Sequence, residues 1–162
     1  MFAKIEVGFR GQERGQAADG LARLRTETNA LHAKAQYLQW NVKWPPKLKA
    51  LLGERCRDLS LAADVIGGRL YSLGAAPEGT RRVFGCQDSE DGLGFEAAVD
   101  ELVRDHEAII GLVERRLPLM TAANDEMSAL LLRERLAAHE EAAARLRAMK
   151  PVKVERTEFS LS

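Results

Sequence analysis

Cysteine is nearly absent from this sequence: Cys56 and Cys86 are two in 162 residues, too few for a disulfide scaffold. No sign of charge is in excess. Twenty-four Lys and Arg face 24 Asp and Glu, so bulk electrostatics points to neither nucleic acid nor an acidic membrane as partner. Long hydrophobic runs are missing as well. The longest uncharged stretches, 35–42, 70–77 and 117–124, are eight residues each, against the roughly 20 that a membrane span needs. Residues 1–15 carry five charges and no apolar signal-peptide core, so the expected location is the cytoplasm. The usual metal spacings are also lacking. Val103 lies three before His106 and Leu136 three before His139, so neither histidine closes a Glu-x-x-His pair, and no Cys–His zinc spacing occurs.

What is present is material for one core. At 46% hydrophobic and 30% charged residues the chain is not disordered, and its length fits a single domain. Four helical blocks and no convincing strand emerge. Leu21, Leu24, Thr28, Leu31, Ala35, Leu38 and Val42 alternate steps of three and four, one stripe of a helix over about 16–42 that Trp44-Pro45-Pro46 must stop. Leu48, Leu52, Cys56, Leu59, Ala63, Ile66, Leu70 and Leu73 mark a second helix, with Gly74 as its C-terminal cap and Pro77 behind. The pair Gly67-Gly68 inside it costs about 1 kcal/mol per glycine against alanine, which implies close packing or a lost side chain.

After an irregular stretch over 75–94, Phe95, Val99, Leu102, His106, Ile109, Val113 and Leu117 give a third helix ending at Pro118. A fourth runs over about 125–149, capped by Asn124 or Asp125 and closed by Pro151. Two helices, a long connection, then two more is an all-α, ferritin-like four-helix bundle with one crossover between helices 2 and 3. The domain is expected over 16–149, with an N-terminal extension over 1–15 and a tail over 150–162. Of the three histidines, His32, His106 and His139, the latter two fall in apolar stripes, where a hydrogen-bonded core residue fits better than a ligand.

Residues 34–43, Lys-Ala-Gln-Tyr-Leu-Gln-Trp-Asn-Val-Lys, bring in a resemblance. They resemble the end of the first helix in the Dps family, the miniferritins of stressed bacteria, whose motif is Lys…His-Trp-Asn-Val-Lys. Leu48-Lys-Ala-Leu-Leu52 is similar to the family's Leu-His-Glu-x-Phe, and residues 64–74, Asp-Val-Ile-Gly-Gly-Arg-Leu-Tyr-Ser-Leu-Gly, to its Asp-x-Ile-Ala-Glu-Arg-Ile-x-x-Leu-Gly. Residues 139–148 resemble its last helix. The resemblance covers about 16–149 and implies a hollow dodecamer that oxidises ferrous iron with peroxide, stores ferric oxide and in many members binds DNA.

The family's ferroxidase site lies between two subunits, with two His and an acidic residue from one and Asp plus Glu from the other. Carried over position by position, the first His is Gln39, the second Lys49 and the acidic residue Gly53, while Asp64 is kept and the Glu becomes Gly68. Ferrous iron wants oxygen and imidazole donors, so the standard centre is expected to be largely lost. Asp64 would remain as a lone oxygen donor or pair with Lys49 across the interface. Glu54 and Asp58 offer replacement oxygens on the same helix, though their spacing gives no particular reason to choose them. Trp40 has a counterpart beside the family's iron and reads equally as a core aromatic.

Asp125 and Glu126 fall where the family lines acidic three-fold pores, and helix capping explains them as well. Each tail, over 1–14 and 150–162, has a net charge of only +1, and phosphate neutralisation needs clustered cations, so DNA binding is expected to be weak or absent unless Arg81-Arg82 forms a patch across a shell. Trp44, Val83, Phe84 and Phe95, near the ends and crossover, are expected at contacts, with 75–94 at a two-fold interface. The expectation is a Dps-like miniferritin for iron sequestration and stress protection as a closed homo-oligomer, with iron as the ligand that the resemblance implies. The alternative is a non-catalytic structural or partner-binding shell subunit.

Overall fold

The stripe read on the first helix is buried throughout the part that the structure, a computed structural model, describes: Leu21, Leu24, Thr28, Leu31, Ala35 and Leu38 all face inward. Residues 11–41, 43–75 and 94–151 are described, so Val42 lies outside them. Four helices follow in order: α1 (Gly11–Asn41), α2 (Pro46–Ser72), α3 (Phe95–Ala122) and α4 (Glu126–Arg147). Among the described residues there is no strand, and no helix is long and apolar enough to cross a membrane. Helix α1 starts ahead of the expected residue 16. Ala17 belongs to the core, and Glu13 in the first turn suits the positive end of the helix dipole.

The corner after α1 is built by its prolines. Trp44 donates its indole N–H to the Leu38 carbonyl at 3.0 Å. Pro45 flanks α2 in an extended conformation, and Pro46 takes the first helical position, where its missing N–H costs nothing. At the other end of α2, Gly74 adopts φ 79°. The Gly74 N–H donates to the Tyr71 carbonyl at 2.9 Å and the Ala75 N–H to that of Leu70 at 3.0 Å. This is the Schellman closure expected of a glycine at that place.

Pro118 corrects the sequence reading. It was expected to end the third helix, yet α3 runs through it to Ala122. An interior proline costs about 3 kcal/mol. Carrying the helix onward buries Met120, which contributes about 1.5–3 kcal/mol, and it sets up a second Schellman turn. Asn124 sits there at φ 55°, with the Asn124 N–H on Thr121 and the Asp125 N–H on Met120 at 3.1 and 2.9 Å. Asp125 then caps α4, accepting from the Ser128 N–H at 3.0 Å.

Helix α1 packs along α2 and α3 along α4, and the two hairpins meet α1 to α3 and, less extensively, α2 to α4. Lys34 joins Glu101 and Asp105, while the Arg116 side chain lies over Gly20, so α1 and α3 run antiparallel. Because α1 is also antiparallel to α2, α2 and α3 run parallel, and the chain between them must return the length of the bundle. That is the crossover expected from sequence. Residues 76–93, with Val83, Phe84, Cys86 and Arg81-Arg82, lie outside the described residues, as do 1–10 and 152–162.

Candidate metal centre

The five positions carried over from the resemblance all lie on α1 and α2, in two groups. Gln39, Lys49 and Gly53 gather at the α1–α2 corner; Asp64 and Gly68 share a face one turn apart farther along α2. Asp64 lies eleven positions after Gly53, about 17 Å along the helix. Within one chain the set does not converge.

At the corner, a Cβ on residue 53 would stand 2.9 Å from Nε2 of Gln39. The glutamine amide therefore occupies the room beside Gly53. The Lys49 ammonium lies 5.9 Å from the centre of the exposed Trp40 ring, within cation–π range. At the other group, Gly68 opens onto unfilled space, while the Arg25 guanidinium lies over Gly67, 3.2 Å from where a Cβ would be. Arg25 Nε–H donates to the Ala63 carbonyl at 3.3 Å. The close packing expected of the glycine pair thus belongs to Gly67, and Gly68 is not closely packed.

Trp40 was read as a possible core aromatic, and this is corrected: it is 70% exposed. Tyr37, Leu61, Val65 and Tyr71 are exposed with it on α1 and α2. Trp44 and Phe95, expected at contacts, are half-buried within the chain and pack on each other, ring centres 6.4 Å apart, against the core. The stripe pattern on α2 identified the inward face correctly, but the size of the outward residues was the signal that went unread.

The alternative oxygens are already engaged. Glu54 accepts from Arg145 at 2.8 Å, and that hydrogen bond, helped by the charge, holds its carboxyl below the usual range. Asp58 accepts from both terminal nitrogens of Arg135, at 3.1 and 3.2 Å. Burial pushes the Asp58 carboxyl up, but the bonds to Arg135 and its charge outweigh that and bring it down. Asp125 has a side chain only 1% exposed and accepts from Arg69 at 2.6 Å as well as capping α4. Glu126 stands in the exposed first turn, 3.8 Å from Arg133. Among the described residues no three His, Cys, Asp or Glu side chains gather as a metal set.

His106 and His139 behave as the core residues their stripes implied, with Nδ1 atoms 2.8 Å apart across α3 and α4. Burial first, then neighbouring charges, pushes His106 to about 4 and His139 to about 3. Sequence reading missed the role of Lys34. Its ammonium is held at 2.7 Å by Glu101 and 2.6 Å by Asp105, tying α1 to α3. The i, i+4 acidic pair on the third helix was the available signal.

Solved structures share this fold, among them the following three. The chain is similar to a Dps protein from Vibrio cholerae, described as a member of a broad superfamily of ferritin-like diiron-carboxylate proteins, at 20% identity and a TM-score of 0.76 over 91% of this chain and 97% of that one. It is similar to an archaeal Dps homologue from Halobacterium salinarum at 21% identity and a TM-score of 0.78, over 93% and 87%. DpsC from Streptomyces coelicolor matches at 18% identity and 0.77, over 88% and 87%. No curated protein matches by sequence. Residues 18–150, all four helices but the first turns of α1, match the ferritin-like domain, and the chain belongs to the ferritin-like family.

Proposed function

We propose that this chain is a Dps-like shell subunit that sequesters iron without a working ferroxidase centre at its two-fold interface. The observation that carries the reading is the chemistry of the five positions. Asp64 alone keeps a metal-binding oxygen, an ammonium stands at residue 49, and the Gln39 amide fills the space beside Gly53. One carboxylate and an amide do not offset the desolvation of a dication next to a positive charge.

Assembly through the α1–α2 face is supported by Tyr37, Trp40, Leu61, Val65 and Tyr71, large apolar side chains left exposed there. A closed homo-oligomer, a dodecamer by resemblance, covers them, and Asp64 of one copy then pairs with Lys49 of the next. The balanced charge supports weak duplex binding; a sub-micromolar gel shift at physiological salt would contradict it.

A second reading is favoured by the arginine pairing of Glu54, Asp58 and Asp125: a structural subunit that meets no iron, whose carboxylates serve only to hold α2 to α4. Iron content and particle size of the purified protein separate the two. The test of the main reading is ferric absorbance after ferrous iron and peroxide are mixed with the assembled protein. The rate should match the protein-free rate, and Gln39→His, Lys49→His, Gly53→Asp and Gly68→Glu together should accelerate it several-fold. Acceleration by the unaltered protein that vanishes in Asp64→Ala would overturn the proposal.

A further inference from the structure

Two buried histidines lie away from the candidate metal positions. His106 on α3 and His139 on α4 are each 2% exposed, with ring centres 5.0 Å apart and Nδ1 bonded to Nδ1 at 2.8 Å. A bond between two imidazole nitrogens holds one proton, so one ring donates and the other accepts. Nε2 of His139 is buried with no partner. An orphaned N–H is rarer in protein interiors than an orphaned acceptor. This assigns the tautomers: Nδ1–H of His139 donates to Nδ1 of His106, which carries its own proton on Nε2.

The nitrogen open to an added proton is then Nε2 of His139. A proton there makes an N–H that meets no acceptor. Two cations already act on the layer, Arg55 of α2 and Arg135 of α4, and Nε of Arg55 is itself buried without a partner. Asp58 of α2 is the carboxylate that acts on both rings, and Arg135 occupies both its oxygens. On α1 the inward residues Leu24, Thr28, Leu31 and Ala35 carry no charge.

We propose that the His106–His139 bond is an acid-sensitive latch between α3 and α4, closed while both rings are neutral and opened when acid drives a proton onto the buried pair. The direction follows from proton binding. An unfolded ring takes up its proton near 6.5, whereas burial, with the neighbouring cations, holds uptake by the bonded pair well below that. The latch therefore contributes its full stability above about pH 6.5 and loses it progressively as pH falls through this window. Unfolded carboxylates titrate near 4, so at about pH 5.5 the histidines dominate the linkage.

The experiment uses the full chain in its native assembly. Proton uptake on urea unfolding at about pH 5.5 should exceed that of the His106→Leu/His139→Leu variant by about two protons per chain, and the acid midpoint of the variant should fall by about one pH unit. Equal uptake in the two proteins overturns the latch. If the variant does not fold, hydrogen–deuterium exchange at the imidazole C2 position of the unaltered protein, read by mass spectrometry, decides the matter. Both rings should remain neutral at about pH 5.5, and a midpoint near 6.5 for either ring overturns the proposal.

Discussion

Nε2 of Gln39 stands 2.9 Å from the place where a Cβ on Gly53 would lie, so the two residues divide one space between α1 and α2. The atom in the way is the tip of a flexible side chain, which can swing out. Gly53→Ala should therefore be tolerated, with a gain of up to about 1 kcal/mol from helix propensity set against the displaced amide. Gly53→Asp is larger and charged, and it should destabilise unless Gln39 is changed too. A double-mutant cycle between Gly53→Asp and Gln39→Ala should give a coupling of about 0.5 kcal/mol or more. Additive urea midpoints would show that the two side chains do not share the space.

Asp125 serves two partners through one oxygen, the Ser128 N–H and the Arg69 guanidinium. Asp125→Ala removes a cap worth about 1 kcal/mol and leaves a mostly buried arginine without its counter-charge, a larger cost. The loss should be about 2–4 kcal/mol in denaturant unfolding. Asp125→Asn keeps an oxygen for the cap and should lose about half as much. If the two variants behave alike, the charge of Asp125 contributes nothing to holding α2 on α4.

Much of the bundle was legible because helical stripes are a period-3.6 signal that burial enforces. Leu21 to Leu38 and Leu48 to Leu70 read out the inward faces of α1 and α2, and Gly74 announced its own left-handed turn. Pro118 misled because a local rule competes with burial one turn later, and Met120 with the Asn124 turn outweighs it. Trp40 and Trp44 could not be sorted by type. Both are large aromatics near a helix end, and only the backbone corner decides which one turns inward. The candidate site was legible as chemistry, since side-chain replacement is written in the sequence. The contest between Gln39 and Gly53, and the capture of Glu54 and Asp58 by arginines of α4, are pairings across distant segments that no single spacing encodes.

Pro118 offers a direct check on that competition. It is exposed inside α3, so Pro118→Ala removes no core contact and restores a helical N–H. The full propensity difference is about 3 kcal/mol. A helix already shaped around the proline recovers less, and the unfolded chain regains about 0.4–1 kcal/mol of entropy. A net stabilisation of about 1–2 kcal/mol is expected from urea unfolding. No gain would mean that the proline itself helps to place Met120 and the turn behind it.

Lys34 supplies the last prediction, because it is the cation between two carboxylates on α3. Burial acts to lower its pKa, but the hydrogen bonds and charges of Asp105 and Glu101 outweigh this and raise it. A lysine whose folded pKa exceeds its unfolded value contributes stability that is complete below the unfolded value, near 10.5, and is lost as pH rises through the folded one. Lys34→Met removes this contribution and leaves Glu101 and Asp105 facing each other at i, i+4. The three side chains are 33–41% exposed, so solvent screening limits the loss to about 1 kcal/mol at neutral pH. Two further signs should accompany it. The gap between wild type and Lys34→Met should shrink in about 1 M salt, where the Debye length is about 3 Å. It should also close as the pH rises through the raised folded pKa, where the wild-type ammonium is itself lost. A gap that persists unchanged under both conditions would assign the effect to the packing of the lysine's alkyl chain.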